Sequence, residues 1–389
     1  MNLLLSAGEA SGDTYGAQLI DALRQLAPEA VFFGMGGEKM RDAGCDLKVH
    51  ANEVAVVGLV EVLTHLPAIR RRFKDLVAEA ARRRPDAAVL IDFPDFNLRL
   101  ARELHRLGIP VFYFVSPQVW AWRTGRVKQI KKYVRKMIVI FPFEQEFYAR
   151  HGVEAVYVGH PLAHAAAPEI SRAEFAARHQ LDAARQWIAL LPGSRRKEVR
   201  LNLPAMLRAA ELLQKQDKDF EFVLPVASTL DKEWMRQQLA GTAVPVKLTG
   251  DARATMVLAR ASVVASGTAT VEAALSGTPF VVVYRLAPLT WFLGRRLVRL
   301  DTFAMANLIA GKRIVPELIQ ENFTPEAVVR ELSAIVPDGP RRRQMQAELA
   351  EVRQRLHDTE NAEPPAFRAA TEILSGLRSP AKVVEKQLF

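Results

Sequence analysis

Short apolar runs rich in β-branched and aromatic residues recur along the chain, separated by segments of helical period, and this alternation narrows the fold more than any other feature. In the first part the runs are NLLLSAG, AVFFGMGG, AAVLIDFPD, PVFYFVSP and KMIVIFPF. Repeated strand–helix units build a parallel sheet, because a parallel connection has to cross over a face of the sheet. After about residue 165 the pattern restarts with QWIALLPGSR, FEFVLPVAS, VPVKLTG, ASVVASGT and PFVVVYR, with helices expected at 200–215 and 269–276. At 389 residues the chain exceeds what one core usually serves. The expected class is therefore α/β, with two facing Rossmann-like domains at 1–165 and 166–355, joined through HPLAHAAAPEIS at 160–171. Residues 356–389 read as a helical tail that packs back or is exchanged between subunits. Ligands of open parallel sheets sit at the carboxyl ends of the strands, so the turns that close these runs are where chemistry is sought, in a cleft between the halves.

Composition sets the partners. Net charge is +10, with basic clusters at 70–74, 82–84, 123–136, 295–299 and 341–343. An anionic substrate or surface follows, although each cluster taken singly also reads as a solvated helix face. The single cysteine, Cys45, leaves no internal disulfide and fits a reducing compartment. The short N-terminal apolar stretch is cut by Ser6, Gly8 and Glu9 and reads as a first strand, and no window approaches a membrane span. A cytoplasmic or peripheral protein is expected.

The turn Gly8-Glu9-Ala10-Ser11-Gly12-Asp13 follows a strand and opens a helix, as phosphate cradles do. Its glycine spacing does not match a dinucleotide fingerprint, and Glu9 and Asp13 would repel a pyrophosphate. A better anion site lies at Ser266-Gly267-Thr268-Ala269-Thr270: a glycine for close approach, hydroxyls and helix N–H groups for a diphosphate, and Glu272 for a ribose diol. Pro192-Gly193-Ser194-Arg195 is a second cradle, whose arginine can fork onto phosphate oxygens. Both also read as well-capped strand–helix turns. In VLIDFPDFN a carboxylate at a strand end is a candidate general base: Asp92, with Asp95 the alternative and better suited to cap a helix starting near Phe96. Ser116, Gln118, Trp120, Trp122 and Arg123 follow another strand, and the tryptophans suit either sugar stacking or an interface. Val56, Leu59, Val60, Leu63 and Leu66 share a helical face, followed at once by Arg70, Arg71, Arg72 and Lys74. Such a segment suits a core helix and a membrane contact equally.

In this order GEASGD, DFPDFN, VSPQVWAWR, VGHPL, LLPGSR, ASGTATVEA and NLIAG, spread over residues 8–311, make the chain resemble the lipid A disaccharide synthase family, inverting glycosyltransferases of the GT-B class. The resemblance implies transfer from UDP-2,3-diacylglucosamine to 2,3-diacylglucosamine 1-phosphate, giving a β-1,6-linked disaccharide and UDP at the inner face of the cytoplasmic membrane. It implies no metal and no cofactor. Asp92 matches the family's base, Glu9 and Arg195 match active-site positions, and Asn307 matches a further polar position, grouped with the nucleotide contacts. With the nucleotide held by the C-terminal half, the 8–13 turn faces it across the cleft, where Glu9 and the backbone of Ser11 and Gly12 position the acceptor. Asp95, Gln118, Trp120 and the 56–72 segment join the acceptor or membrane side. Partners are then the two acylated sugars, an anionic membrane surface and, on the tail's evidence, a second subunit, with no nucleic acid. A UDP-sugar epimerase on the same scaffold and a non-catalytic anionic-lipid-binding protein are the rival readings.

Overall fold

The structure is a computed structural model. It describes residues 1–54, 59–120, 124–164, 168–286, 302–357 and 363–378, with backbone only at 59–65 and 124. The chain divides into two compact units, one holding the residues up to His164 together with the last described helix, the other spanning Ala165–His357.

The first unit contains β1 Asn2–Ala7, α1 Ala10–Leu26, β2 Val31–Gly36, α2 Glu38–Asp42, β3 Cys45–His50, α3 Leu59–Arg83, β4 Ala87–Ile91 and α4 Pro94–Arg106. It continues with β5 Val111–Phe114, α5 Val127–Tyr133, β6 Lys136–Val139, α6 Pro142–Arg150 and β7 Ala155–Tyr157. All its strands run parallel in the order β3-β2-β1-β4-β5-β6-β7. The central strands are buried on both faces, which is why β4 reads AAVLI without alternation. One core fills the α3–α4 side of this sheet: Leu4, Phe33, Leu90 and Tyr113 meet Leu76 and Ala80 from α3 and Leu100, Ala101 and Leu104 from α4.

The second unit contains α7 Arg172–His179, β8 Gln186–Leu191, α8 Arg196–Gln216, β9 Phe220–Pro225, α9 Lys232–Gln238, β10 Val246–Thr249, α10 Ala252–Leu258, β11 Ala261–Ala265 and α11 Ala269–Ser276. It ends with β12 Phe280–Tyr284, α12 Met305–Ala310, β13 Glu317–Ile319, α13 Pro325–Ile335 and α14 Pro340–His357. Its parallel sheet runs β10-β9-β8-β11-β12-β13. Counted within each unit, the second sheet has the order 3-2-1-4-5-6 and the first extends it by a seventh strand, the Rossmann arrangement with its switch point between the first and fourth strands.

The last described helix, α15 Pro365–Arg378, lies on α1 of the same chain and buries Ala369, Ala370 and Ile373. Lys136 on β6 donates to Glu372 at 2.7 Å, and Arg368 donates to the Tyr157 carbonyl at 2.9 Å. Gly376 sits so close that a Cβ there would fall 2.6 Å from the Phe112 ring. This tail is thus part of the first unit's outer layer.

Candidate active site

Strand order brings distant turns together. Ala7 is opposite Ile91 in the β1–β4 register, so the turn after β1 and the turn after β4 lie side by side at the first switch point. Gly8 is buried there, and a Cβ on it would fall 2.2 Å from the Phe93 ring, so only glycine lets the two turns approach. Glu9 is the half-buried N-cap of α1, Ser11 is exposed, and Gly12 is buried over Ala7 and Ile91. Of the turn's two carboxylates, Asp13 is committed to structure. Its oxygens accept from the amides of Gly37 (2.7 Å), Lys39 (3.1 Å) and Met40 (3.1 Å), capping α2.

Asp92 stands half-buried at the end of β4, and the backbone there is strained. Asp92 (φ 46°), Phe93 (φ 50°) and, at the end of β5, Val115 (φ 62°) are all left-handed. Non-glycine residues occupy this region at a cost, most of all β-branched valine, and such positions cluster where function needs them. Asn97 on α4 holds the turn in place. Fully buried, it donates to the carbonyls of Ser6 (3.1 Å), Ile91 (3.2 Å) and Asp92 (2.8 Å) and accepts from the Ser6 hydroxyl (2.7 Å). The Tyr113 hydroxyl donates to the Asp92 carbonyl at 2.6 Å. Asp95 does not cap a helix starting near Phe96. The helix begins at Pro94, a residue preorganised for the first turn, and Asp95 lies in that turn, 70% exposed and paired with Arg126.

After β5, Gln118 is exposed and Trp120 half-buried. The Trp120 indole donates to Glu144 on α6 at 3.1 Å and sits edge-on to Phe143. Glu144 is buried, and desolvation pushes its carboxyl up to about 8 against the opposing bonds from Trp120 and the Phe141 amide. Trp122 and Arg123 lie outside the described residues.

The second switch point repeats this design. Val264 is opposite Leu191, which sets the turn after β8 beside the turn after β11. Gly193 and Ser194 lead into α8. Arg195 is its exposed N-cap, 3.7 Å from Glu198, which accepts the Ser194 amide at 3.0 Å. Asn202, the counterpart of Asn97, donates to the Pro192 carbonyl (3.0 Å) and accepts the Arg285 amide (3.1 Å). Gly267 has φ 144°, which an L side chain rarely adopts, and Thr268 beside it is exposed at the start of α11. Ser266 donates to the Phe303 carbonyl. Burial raises the Glu272 carboxyl above its ordinary value while Arg253 pulls the other way.

Two expected nucleotide contacts are occupied within the fold. Thr270 is fully buried, donating to the Gly267 carbonyl (2.7 Å) and accepting the Met305 amide (3.3 Å). The Asn307 amide donates to the Val315 carbonyl (3.0 Å) and Glu317 (2.7 Å) and accepts from the amides of Ile314 (2.8 Å) and Val315 (3.0 Å). That uses its full hydrogen-bonding capacity within the fold.

In the 56–72 segment, Val56 lies outside the described residues, and Leu59, Val60 and Leu63 are placed by backbone alone, in α3. Leu66 is half-buried, while Arg70 and Arg71 are exposed. Arg72 is paired with Glu53 at 2.5 Å. From Ile69 onward the helix belongs to the core through Ile69, Phe73, Leu76, Val77 and Ala80. Among the described residues no helix is long and apolar enough to cross a membrane, and no three side chains form a metal-binding group.

Solved structures share this architecture. The kitacinnamycin glycotransferase matches with a TM-score of 0.65 at 16% identity, covering 96% of this chain and 98% of that one. The UDP-GlcNAc 2-epimerase of Neisseria meningitidis, solved with UDP-GlcNAc, matches at 0.58 and 11%, covering 97% and 99%. The fold is thus that of the GT-B glycosyltransferases, and epimerases share it, so fold does not choose between them. Sequence does. The model of the lipid-A-disaccharide synthetase family matches residues 3–371. The lipid-A-disaccharide synthase of Koribacter versatilis (strain Ellin345) is 57% identical over 378 residues, 96% of this chain and 98% of the relative. The chain belongs to the lipid-A-disaccharide synthetase family.

Proposed function

We propose that this glycosyltransferase, which makes the lipid A disaccharide, works by direct displacement at the anomeric carbon of UDP-2,3-diacylglucosamine by the 6-hydroxyl of 2,3-diacylglucosamine 1-phosphate. The hydroxyl proton passes to Asp92, the new C–O bond forms as the bond to UDP breaks, and the anomeric centre inverts. Glu9 and the backbone of Ser11 and Gly12 orient the acceptor sugar, with Gln118 and Trp120 beside it. Arg195 and the N–H groups at the start of α11 stabilise the departing diphosphate, and Glu272 accepts from the ribose diol. The observation that carries this reading is Asp92 at the first switch point, in a left-handed backbone held by Asn97 and Tyr113, in a chain of this family. The test is release of radiolabelled UDP from the donor. Release that depends on the acylated acceptor supports the reading, and release without acceptor contradicts it.

Glu272→Ala is expected to weaken UDP binding by about 1–3 kcal/mol, the loss of one charge-assisted hydrogen bond. Unchanged affinity in a calorimetric titration removes Glu272 from the nucleotide site.

The same reading puts the protein peripherally on the cytoplasmic face of the membrane, with Arg70 and Arg71 toward anionic headgroups and Leu59, Leu63 and Leu66 toward acyl chains. Replacing both arginines by glutamine is expected to cost about 2 kcal/mol of binding to anionic vesicles, roughly 30-fold, at about 1 kcal/mol per basic residue. The difference should shrink as salt rises. Co-sedimentation unaffected by the double substitution overturns this placement.

A further inference from the structure

Glu144 is a buried acid for which the displacement chemistry has no use. It sits on α6 with Tyr148 one turn on, both closed off from solvent. One carboxyl oxygen accepts the Trp120 indole N–H at 3.1 Å, and the other accepts the Phe141 amide at 3.2 Å. Ser116 lies 2.8 Å from the Tyr148 hydroxyl and 3.0 Å from the Pro117 carbonyl, to which it donates. The Glu144 carboxyl thus ties Trp120 in the loop after β5 to Phe141 just past β6, and Tyr148 on the same helix meets Ser116 at the start of that loop. That loop leaves β5 through the strained Val115, so its path needs an anchor.

We propose that Glu144 is a positioning residue that fixes the Ser116–Trp120 loop for the acceptor sugar, acting through Trp120 and not on the substrate itself. The inference rests on the reading above that this loop serves the acceptor.

The anchor is sensitive to charge. Among the described residues, Tyr148 on its own helix interacts with Glu144, and His160 packs on the neighbouring Phe141 with ring centroids 5.1 Å apart. Burial pushes Tyr148 up and holds His160 down at about 3, so both are neutral at pH 7. The balance at Glu144 sets desolvation against the bonds from Trp120 and the Phe141 amide. Desolvation raises the carboxyl from 4.5 to about 8, so the neutral acid holds on the acid side of that value and the carboxylate on the alkaline side. The neutral acid's stabilising contribution is full below about pH 4.5 and is lost as pH rises through about 8. Ionisation then puts a desolvated charge under the loop, met by neutral donors.

The experiment follows pH from 6 to 9.5 in the full-length protein, reading both acceptor-dependent turnover and intrinsic tryptophan fluorescence. In wild type, both should change with a midpoint near pH 8. Glu144→Gln, a fixed mimic of the neutral acid, should keep pH 7 turnover within about threefold and lose that midpoint in both readouts. Trp120→Phe removes a donor that favours the carboxylate, so the midpoint should move upward. Glu144→Ala should raise the acceptor KM at least tenfold with the donor KM within twofold. If Glu144→Ala fails to fold, the other two variants still decide. A transition near pH 8 that survives in Glu144→Gln, or its absence from wild type, overturns the proposal. The fluorescence needs no turnover, so a wild-type protein without transferase activity would refute the reaction while leaving this test intact.

Discussion

Asp92→Asn is expected to lower turnover by 10²–10⁴-fold, the usual contribution of a general base, with UDP affinity within twofold of wild type. The substitution is a clean one for a backbone reason. Asp92 is left-handed, and asparagine tolerates that region as well as aspartate does. The bonds that hold the turn's backbone, from the Asp92 amide to the Phe114 carbonyl at 3.2 Å and to the Asp92 carbonyl from Asn97 and Tyr113, are kept. An alanine there would confound chemistry with strain. Asp95→Asn is the control: an exposed carboxylate whose partner is Arg126 should cost no more than about 1 kcal/mol of stability and little activity. Rate measurements with calorimetric UDP titration of both variants separate the cases. Activity retained in Asp92→Asn and lost in Asp95→Asn would transfer the role.

Asn97→Ala is the largest structural change expected. It leaves the Ser6 hydroxyl and the carbonyls of Ser6 and Ile91 short of a partner in a fully buried place. Tyr113 still serves Asp92. At about 1–3 kcal/mol per buried unsatisfied group, a total of about 3 kcal/mol or more is a large share of a stability of about 5–15 kcal/mol. Turnover should fall as well, because the ends of β1 and β4 lose the clamp that joins the two turns. Asn97→Asp should be worse at pH 7 than at pH 5, since a carboxylate would face three carbonyls and protonation restores one donor. Thermal melting at both pH values checks this, and an Asn97→Ala protein with wild-type melting and turnover would refute the clamp.

The strands were legible because parallel strands are buried on both faces, and runs such as AAVLI and ASVVA announce that burial. Strand order was not legible, and the site depends on it: the turn carrying Glu9 lies beside the turn carrying Asp92 only because β1 neighbours β4. The residues that hold the site were hidden for the same reason. Asn97 lies on the apolar stripe of α4 with Leu100, Ala101 and Leu104, Asn202 on that of α8 with Val199, Leu203 and Met206, and Glu144 on the buried face of α6 with Tyr148. A polar residue on an apolar stripe was the available signal. Its partners were not, since Ser6 stands 91 residues from Asn97 and Arg285 stands 83 from Asn202. Asn307 shows the converse. Its motif was legible, but its commitment to Val315 and Glu317 needed the packed loop.

The central claim is a single displacement with one carboxylate base, and the anomeric configuration of the product tests it most directly. Purified protein is given UDP-2,3-diacylglucosamine and 2,3-diacylglucosamine 1-phosphate, and the disaccharide is examined by proton NMR. The account predicts a β-1,6 linkage with one UDP released per disaccharide. An α-linked product, or a donor epimerised at its second carbon with no disaccharide formed, would contradict it.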